Sequence, residues 1–239
     1  MKSILTVSEF DLLTKFDTIP DIYEIRLDLF HRLSLNNKMI DLIYSLNREL
    51  IFTYRLSSDS SIKEKFDSTP EDISRFLEFF KGKGYFIDIE LDKKNPYIKD
   101  ELKPYFKKIY SIHNFNKVLS FSEMKSLIPK LIEPNSYIKF AIIVNTYNEF
   151  YQFLLDTEFI AKQYNTISIA MGSLGVYSRI LGDRFQSKAS YTCLGEPKAP
   201  GQIELKKWYQ VRDQTVHLKK PKDFNEFMSQ VNELNNFLI

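Results

Sequence analysis
Eight short apolar, β-branched or aromatic runs recur along the chain at fairly even spacing: residues 4–7, 22–27, 50–55, 85–91, 108–112, 137–144, 166–171 and 190–193. Most of the segments between them carry a helical period. Ile40, Ile43, Tyr44 and Leu46 share the apolar side of one. Another opens with Thr69-Pro70-Glu71-Asp72, an N-cap followed by proline and first-turn acids, and places Ile73, Phe76, Leu77 and Phe80 on one face before Gly82-Lys83-Gly84 ends it. Phe150, Phe153, Leu154 and Ile160 repeat the spacing across 147–164. Strands alternating with helices imply a parallel sheet with right-handed crossovers. Eight such units favour a closed α/β cylinder, the (β/α)₈ TIM barrel, over an open doubly wound sheet, which periodicity alone leaves open. Barrels of this kind routinely occupy 200–250 residues, so the 239 residues read as a single domain. Phe224, Phe227, Met228, Val231 and Leu234 predict one more amphipathic helix at about 221–238, packed on the barrel exterior or in the contact of a homodimer.

Composition removes several classes of function. The 33 basic and 31 acidic residues leave a net charge of +2, which gives no electrostatic reason to expect a nucleic-acid partner. The lysine-rich stretch 93–108 is broken by Asp100 and Glu101 and reads as a solvated face. Cys193 is the only cysteine, so neither an intrachain disulfide nor a cysteine-based zinc site is available. His31, His113 and His217 lie far apart without ligand spacing, so no metal site is expected. No apolar run is long enough to span a membrane, and a reducing cytoplasm is the expected compartment.

Barrel interiors are filled with branched apolar side chains, yet several predicted strands here carry charge. Glu24, Arg26 and Asp28 follow at spacing two and face one side of the second strand. Asp88 and Glu90 do the same in the fourth. The third ends in Tyr54-Arg55, the fifth in Ser111-Ile112-His113, and the sixth carries Lys139 in its middle. One such strand is explained by an exposed edge. Five are not, because parallel strands of an α/β fold are covered on both faces and unpaired buried charge is costly. A polar site at the C-terminal ends of the strands accounts for all of them.

Lys139 bears most on the chemistry. In a dry, partly cationic pocket a lysine loses its proton more readily, and the neutral amine can attack a carbonyl. The alternative is a structural ion pair with Glu24 or Glu90. His113, at a strand end, is placed for proton transfer or for a core hydrogen bond. Arg26 and Arg55 are candidate bidentate donors to carboxylate or hydroxyl groups, with an ion pair to its own neighbours as the alternative for Arg26. Two later strings sit where strand-to-helix loops belong: 170–179, containing Gly172, Gly175 and Arg179, and Lys198-Ala199-Pro200-Gly201-Gln202.

Taken in order, Glu24-Ile-Arg26-Leu-Asp28, Phe52-Thr-Tyr-Arg55, Ile87-Asp88-Ile-Glu90, Ser111-Ile-His113-Asn-Phe115, Ile138-Lys139-Phe-Ala141, Met171-Gly-x-x-Gly175-x-x-Ser178-Arg179 and Ala199-Pro-Gly-Gln202 resemble the type I 3-dehydroquinate dehydratases of the shikimate pathway of aromatic amino acid biosynthesis. The resemblance spans roughly residues 24 to 202, and its specificity lies in the ordered set.

The resemblance implies a lyase in which Lys139 forms a Schiff base with the C3 ketone of 3-dehydroquinate. His113 then removes the C2 proton and later protonates the departing C1 hydroxyl, giving 3-dehydroshikimate without a cofactor. It further implies that Arg179 and Gln202 hold the substrate carboxylate and a nearby hydroxyl, that Glu24, Arg26 and Arg55 hold ring hydroxyls, and that Tyr191 is an aromatic wall. Three positions depart from the family pattern. Asp59 stands where a glutamate usually orients the histidine, Asn114 replaces an aspartate, and Lys198 replaces a serine, where it would meet the substrate carboxylate. Competing readings are another lysine-imine barrel enzyme, such as a class I aldolase, and an inactive barrel that binds a metabolite or partner.

Overall fold
The computed structural model describes residues 1–14, 17–60, 62 and 66–238, with Asp59 described in its backbone only. In chain order the elements are β1 (Lys2–Val7), α1 (Glu9–Leu13), β2 (Ile22–Arg26), α2 (Asn37–Ser45), β3 (Glu49–Thr53), α3 (Pro70–Glu78), β4 (Phe86–Glu90), β5 (Lys107–Asn114), α4 (Phe121–Leu127), β6 (Tyr137–Ile143), α5 (Tyr147–Ala161), β7 (Thr166–Met171), α6 (Gly175–Leu181), β8 (Ala189–Cys193), β9 (Ile203–Glu204), α7 (Leu205–Gln214) and α8 (Phe224–Leu238). Each of the eight expected runs forms a strand. The short β9, which the sequence pattern does not announce, pairs with β8 through Thr192 and Cys193.

The strands form one parallel sheet in the order β7-β6-β5-β4-β3-β2-β1-β8-β9. No ladder joins β7 to β8, but the Lys188 N–H, just before β8, donates to the Thr166 carbonyl at 2.9 Å. Alternation along the strands sorts the side chains. Leu5, Ile25, Phe52 and Ile87 point outward into a core shared with the helices, whereas Ile4, Ile22, Ile51, Phe86, Ile109, Ala141, Ile167 and Tyr191 meet on the other face in one cluster.

That inner face changes character along its length. Where β2 begins with Ile22, the next residues of the same parity are Glu24 and Arg26. Phe86 is followed by Asp88 and Glu90, and Ile109 by Ser111 and His113. An apolar layer thus closes one end, and a polar layer opens toward the strands' C-terminal ends. Burial of Glu24, Asp88, Glu90 and Lys139 follows from that position.

Four helices start with reciprocal capping boxes, in which a hydroxyl and a carboxylate three residues on satisfy each other's backbone N–H: Ser8 with Asp11, Thr69 with Asp72, Ser120 with Glu123, and Thr146 with Glu149. The expected C-terminal helix is α8. It buries Phe227, Val231 and Leu234, and Phe227 meets the rings of Phe150 and Tyr151 on α5. The Trp208 indole on α7 donates to the Arg179 carbonyl at 2.7 Å, fixing α7 against α6. Among the described residues, no helix is long and apolar enough to cross a membrane.

Candidate active site
A pocket opens over the polar layer. Glu24, Arg26, Arg55, His113, Lys139, Arg179, Tyr191, Lys198 and Gln202 line it; Asp28, Asp88, Glu90 and Asn114 do not, and the Asp59 side chain lies outside the described residues.

Lys139 on β6 stands beside Ser111 of β5 in register; on β4, Glu90 is level with Ser111 and Asp88 with Ile109, two residues earlier. The lysine Nζ is 3.0 Å from Asp88 Oδ2 and 4.5 Å from the centre of the Tyr191 ring. Asp88 is therefore its partner, rather than Glu24 or Glu90. Burial, with the Arg55 guanidinium nearby, pushes the amine below the ordinary lysine value, although Asp88 pulls the other way. Asp88 also accepts from Ser111 Oγ at 2.8 Å and from Arg55 Nη2 at 2.7 Å. Burial would raise its pKa, but the Arg55, Lys139 and His113 charges outweigh that and hold the carboxyl well below the usual range.

Arg55 lies just past the end of β3, with its Nη1 2.7 Å from Glu90 Oε2. Both terminal nitrogens thus engage acids of β4, a tighter arrangement than a free donor to ring hydroxyls. His113 ends the inward row of β5. Its Nδ1 lies 2.8 Å from Glu90 Oε2, and its backbone N–H donates to Oε1 at 3.0 Å. Burial and Arg55 lower the histidine pKa, with Glu90 opposing.

Glu24 is fixed by two hydroxyls, from Thr6 at 2.8 Å and Thr53 at 2.9 Å. Neither threonine was given a role from sequence. The usable signal was parity, since Thr6 follows Ile4 and Thr53 follows Ile51 on the inner face. Arg26 forms a two-bond pair with Asp28, at 2.8 and 2.7 Å, and also donates to Ser60 Oγ at 3.3 Å.

The far wall comes from two loops that touch backbone to backbone. A Cβ on Gly201, whose φ is +76°, would sit 2.7 Å from the Gly175 Cα, and one on Gly175 would sit 2.8 Å from the Ala170 carbonyl oxygen. Only glycine permits this approach. It brings Arg179, on α6, against the 198–202 turn. The guanidinium is fully buried and donates to the carbonyls of Ala170 at 2.6 Å, Gly175 at 3.0 Å and Pro200 at 3.3 Å. No ion pair to an acid is recorded for it among the described residues, and burial disfavours its charge. The guanidinium also donates to the Ser178 hydroxyl at 2.9 Å, and a buried cation held by neutral oxygens suits an incoming anion. Gln202 accepts from the Lys198 and Ala199 N–H groups at 2.6 and 3.0 Å and donates to Thr6 Oγ1 at 3.1 Å. Lys198 Nζ is 3.4 Å from Asp11 Oδ2.

Comparison with known proteins places the chain in a family. The family profile of type I 3-dehydroquinase matches residues 8–217. The chain is 30% identical over 215 residues to 3-dehydroquinate dehydratase of Staphylococcus saprophyticus, covering 84% of this chain and 89% of the relative. It is 30% identical over 194 residues to the enzyme of that name from Methanococcus maripaludis, covering 78% and 84%. Among solved structures, the type I 3-dehydroquinate dehydratase of Clostridium difficile superposes with a TM-score of 0.68 at 23% identity, over 90% of this chain and 92% of that one. The 3-dehydroquinate dehydratase of Aquifex aeolicus gives 0.67 at 23%, over 91% and 100%. These structural likenesses speak to the fold. With the profile match across most of the length and the 30% identity of relatives covered over more than four fifths of their length, this chain belongs to the type I 3-dehydroquinase family.

Proposed function
We propose that the protein is a hydro-lyase converting 3-dehydroquinate to 3-dehydroshikimate through a Schiff base on Lys139, within a closed (β/α)₈ barrel. The single inner cluster drawn from all eight long strands supports closure, as does the Lys188–Thr166 bond. The observation that carries the chemistry is a lysine buried beside Asp88 in the same pocket as a carboxylate-held histidine.

The amine, shifted toward its neutral form, adds to the C3 ketone, and water leaves as the iminium forms. The iminium withdraws electrons from C2, so that His113 can take the C2 proton through Nε2. The electron pair then expels the C1 hydroxyl, which receives the same proton and departs as water. Hydrolysis returns the lysine and releases 3-dehydroshikimate. The iminium is the electron sink, so the route calls for no metal or other cofactor.

Arg179, Gln202 and Lys198 supply the carboxylate end of the pocket. Glu24, pre-set by Thr6 and Thr53, accepts from a ring hydroxyl, and Arg26 closes that side with Asp28. Tyr191 covers the amine and keeps water from it. The test is borohydride reduction in the presence of 3-dehydroquinate, read by mass at Lys139, alongside the rise in absorbance of the conjugated product. A trapped adduct with no conjugated product would instead indicate a different imine enzyme.

A further inference from the structure
Both oxygens of Glu90 lie within hydrogen-bond reach of His113 Nδ1, at 2.9 and 2.8 Å, and Oε1 also takes the His113 backbone N–H at 3.0 Å. An ionised carboxylate can only accept. The shared proton therefore resides on Nδ1, and the lone pair is on Nε2. Strand register produces this contact. Glu90 stands opposite Ser111 on β5, so a side chain reaching one step toward the strand end meets His113. Arg55 holds Glu90 from the other side, and its second terminal nitrogen holds Asp88, the acid beside Lys139. The glutamate is almost wholly enclosed, its side chain 4% exposed.

We propose that Glu90 is the positioning residue for His113, and that Arg55 is the bridge tying this pair to the Asp88–Lys139 pair. The family resemblance placed the orienting carboxylate at position 59, on the loop after β3. Here it comes from β4, a rigid strand whose side chain is clamped on two sides. The kinetic consequence rests on the dehydratase reading, whereas the tautomer belongs to the resting protein and does not.

The charged groups facing His113 are Glu90 and Asp88 from β4, Arg55 past the end of β3, and Lys139 from β6. Glu90 favours the imidazolium, while burial, Arg55 and Lys139 oppose it. Removing the Glu90 charge leaves the opposing groups in place, so the imidazole titrates at lower pH. Because His113 must be neutral to act as a base, the acidic limb of the rate profile moves the same way.

The experiment uses the full chain labelled with ¹⁵N-histidine, the His113 signals being assigned by their loss in His113→Gln. The unsubstituted protein is expected to show the Nδ1–H tautomer, a reading that needs no variant. In Glu90→Gln the His113 titration should fall by about one unit or more, as expected when a neighbouring carboxylate is lost. With 3-dehydroquinate, kcat should drop on the order of 10²-fold, KM should change little, borohydride trapping at Lys139 should persist, and the acidic limb should follow the NMR shift. Glu90→Asp should recover part of the loss. An Nε2–H tautomer in the unsubstituted protein would overturn the proposal. So would an unchanged titration in Glu90→Gln together with a shifted one in Asp59→Asn. If the tautomer and the shift hold but 3-dehydroquinate is neither trapped nor turned over, the dehydratase reading fails and the positioning role stands.

Discussion

Lys139 Nζ lies 3.0 Å from Asp88 Oδ2 and 4.5 Å from the centre of the Tyr191 ring, so the amine is held between a carboxylate and an aromatic face, away from bulk water. Burial there lowers its proton affinity, which would serve the proposed imine chemistry and is unfavourable for the fold. The stability effect has a definite sign. The folded state prefers the neutral amine, so the penalty is absent above the ordinary lysine value of 10.5, grows as pH falls through it, and is full below the lowered folded value.

Lys139→Met is accordingly expected to abolish both borohydride trapping and turnover while raising the thermal midpoint at neutral pH. A gain of about 1–2 kcal/mol corresponds to roughly 2–8 °C for a chain of this size. Calorimetry at pH 7 checks it, and residual turnover in the folded variant would remove Lys139 from the mechanism.

His113→Ala separates two steps. The imine needs no base at C2, so trapping on Lys139 should persist while turnover falls by roughly 10²–10⁴. Loss of trapping as well would assign His113 to imine formation.

Arg179→Lys keeps a positive charge but removes the planar fork that grips three carbonyls and faces the pocket. Losing a charged hydrogen bond to the substrate carboxylate is worth ~1.5–3 kcal/mol. KM should therefore rise by about 10- to 100-fold, with kcat changed far less. An unchanged KM would place the carboxylate elsewhere in the pocket.

Gly201→Ala places a methyl group 2.7 Å from the Gly175 Cα at a φ of +76°. The strain is expected to destabilise the protein by ~1–3 kcal/mol. Because Gln202 and Arg179 are held by the same contact, kcat/KM should fall with the thermal midpoint. Urea titration and steady-state kinetics read the two effects separately.

The eight strands were legible because each is an apolar run bounded by turn or helix signals, and the polar layer because charges at spacing two share one face. Partnership was not legible. Lys139 meets Asp88 rather than Glu24 or Glu90, and Arg55 bridges two acids, because both outcomes depend on how neighbouring strands are staggered, and nothing within a single strand records the stagger. Thr6 and Thr53 escaped notice for a related reason: a hydroxyl in a strand is ordinary until a carboxylate is found beside it. The contact between Gly175 and Gly201 joins loops 26 residues apart, and only the packed backbone reveals why both positions are glycine.

The hydrogen bond from the Trp208 indole to the Arg179 carbonyl also gives the protein a built-in optical reporter. Trp208 is the only tryptophan in the chain, so its selectively excited emission comes from one buried ring. That ring is attached to the backbone of the very residue whose guanidinium faces the pocket. If an anion engages Arg179 as proposed, the indole's hydrogen bond is expected to respond, and a change in emission on titration would report occupancy without a label, a coupled assay or turnover.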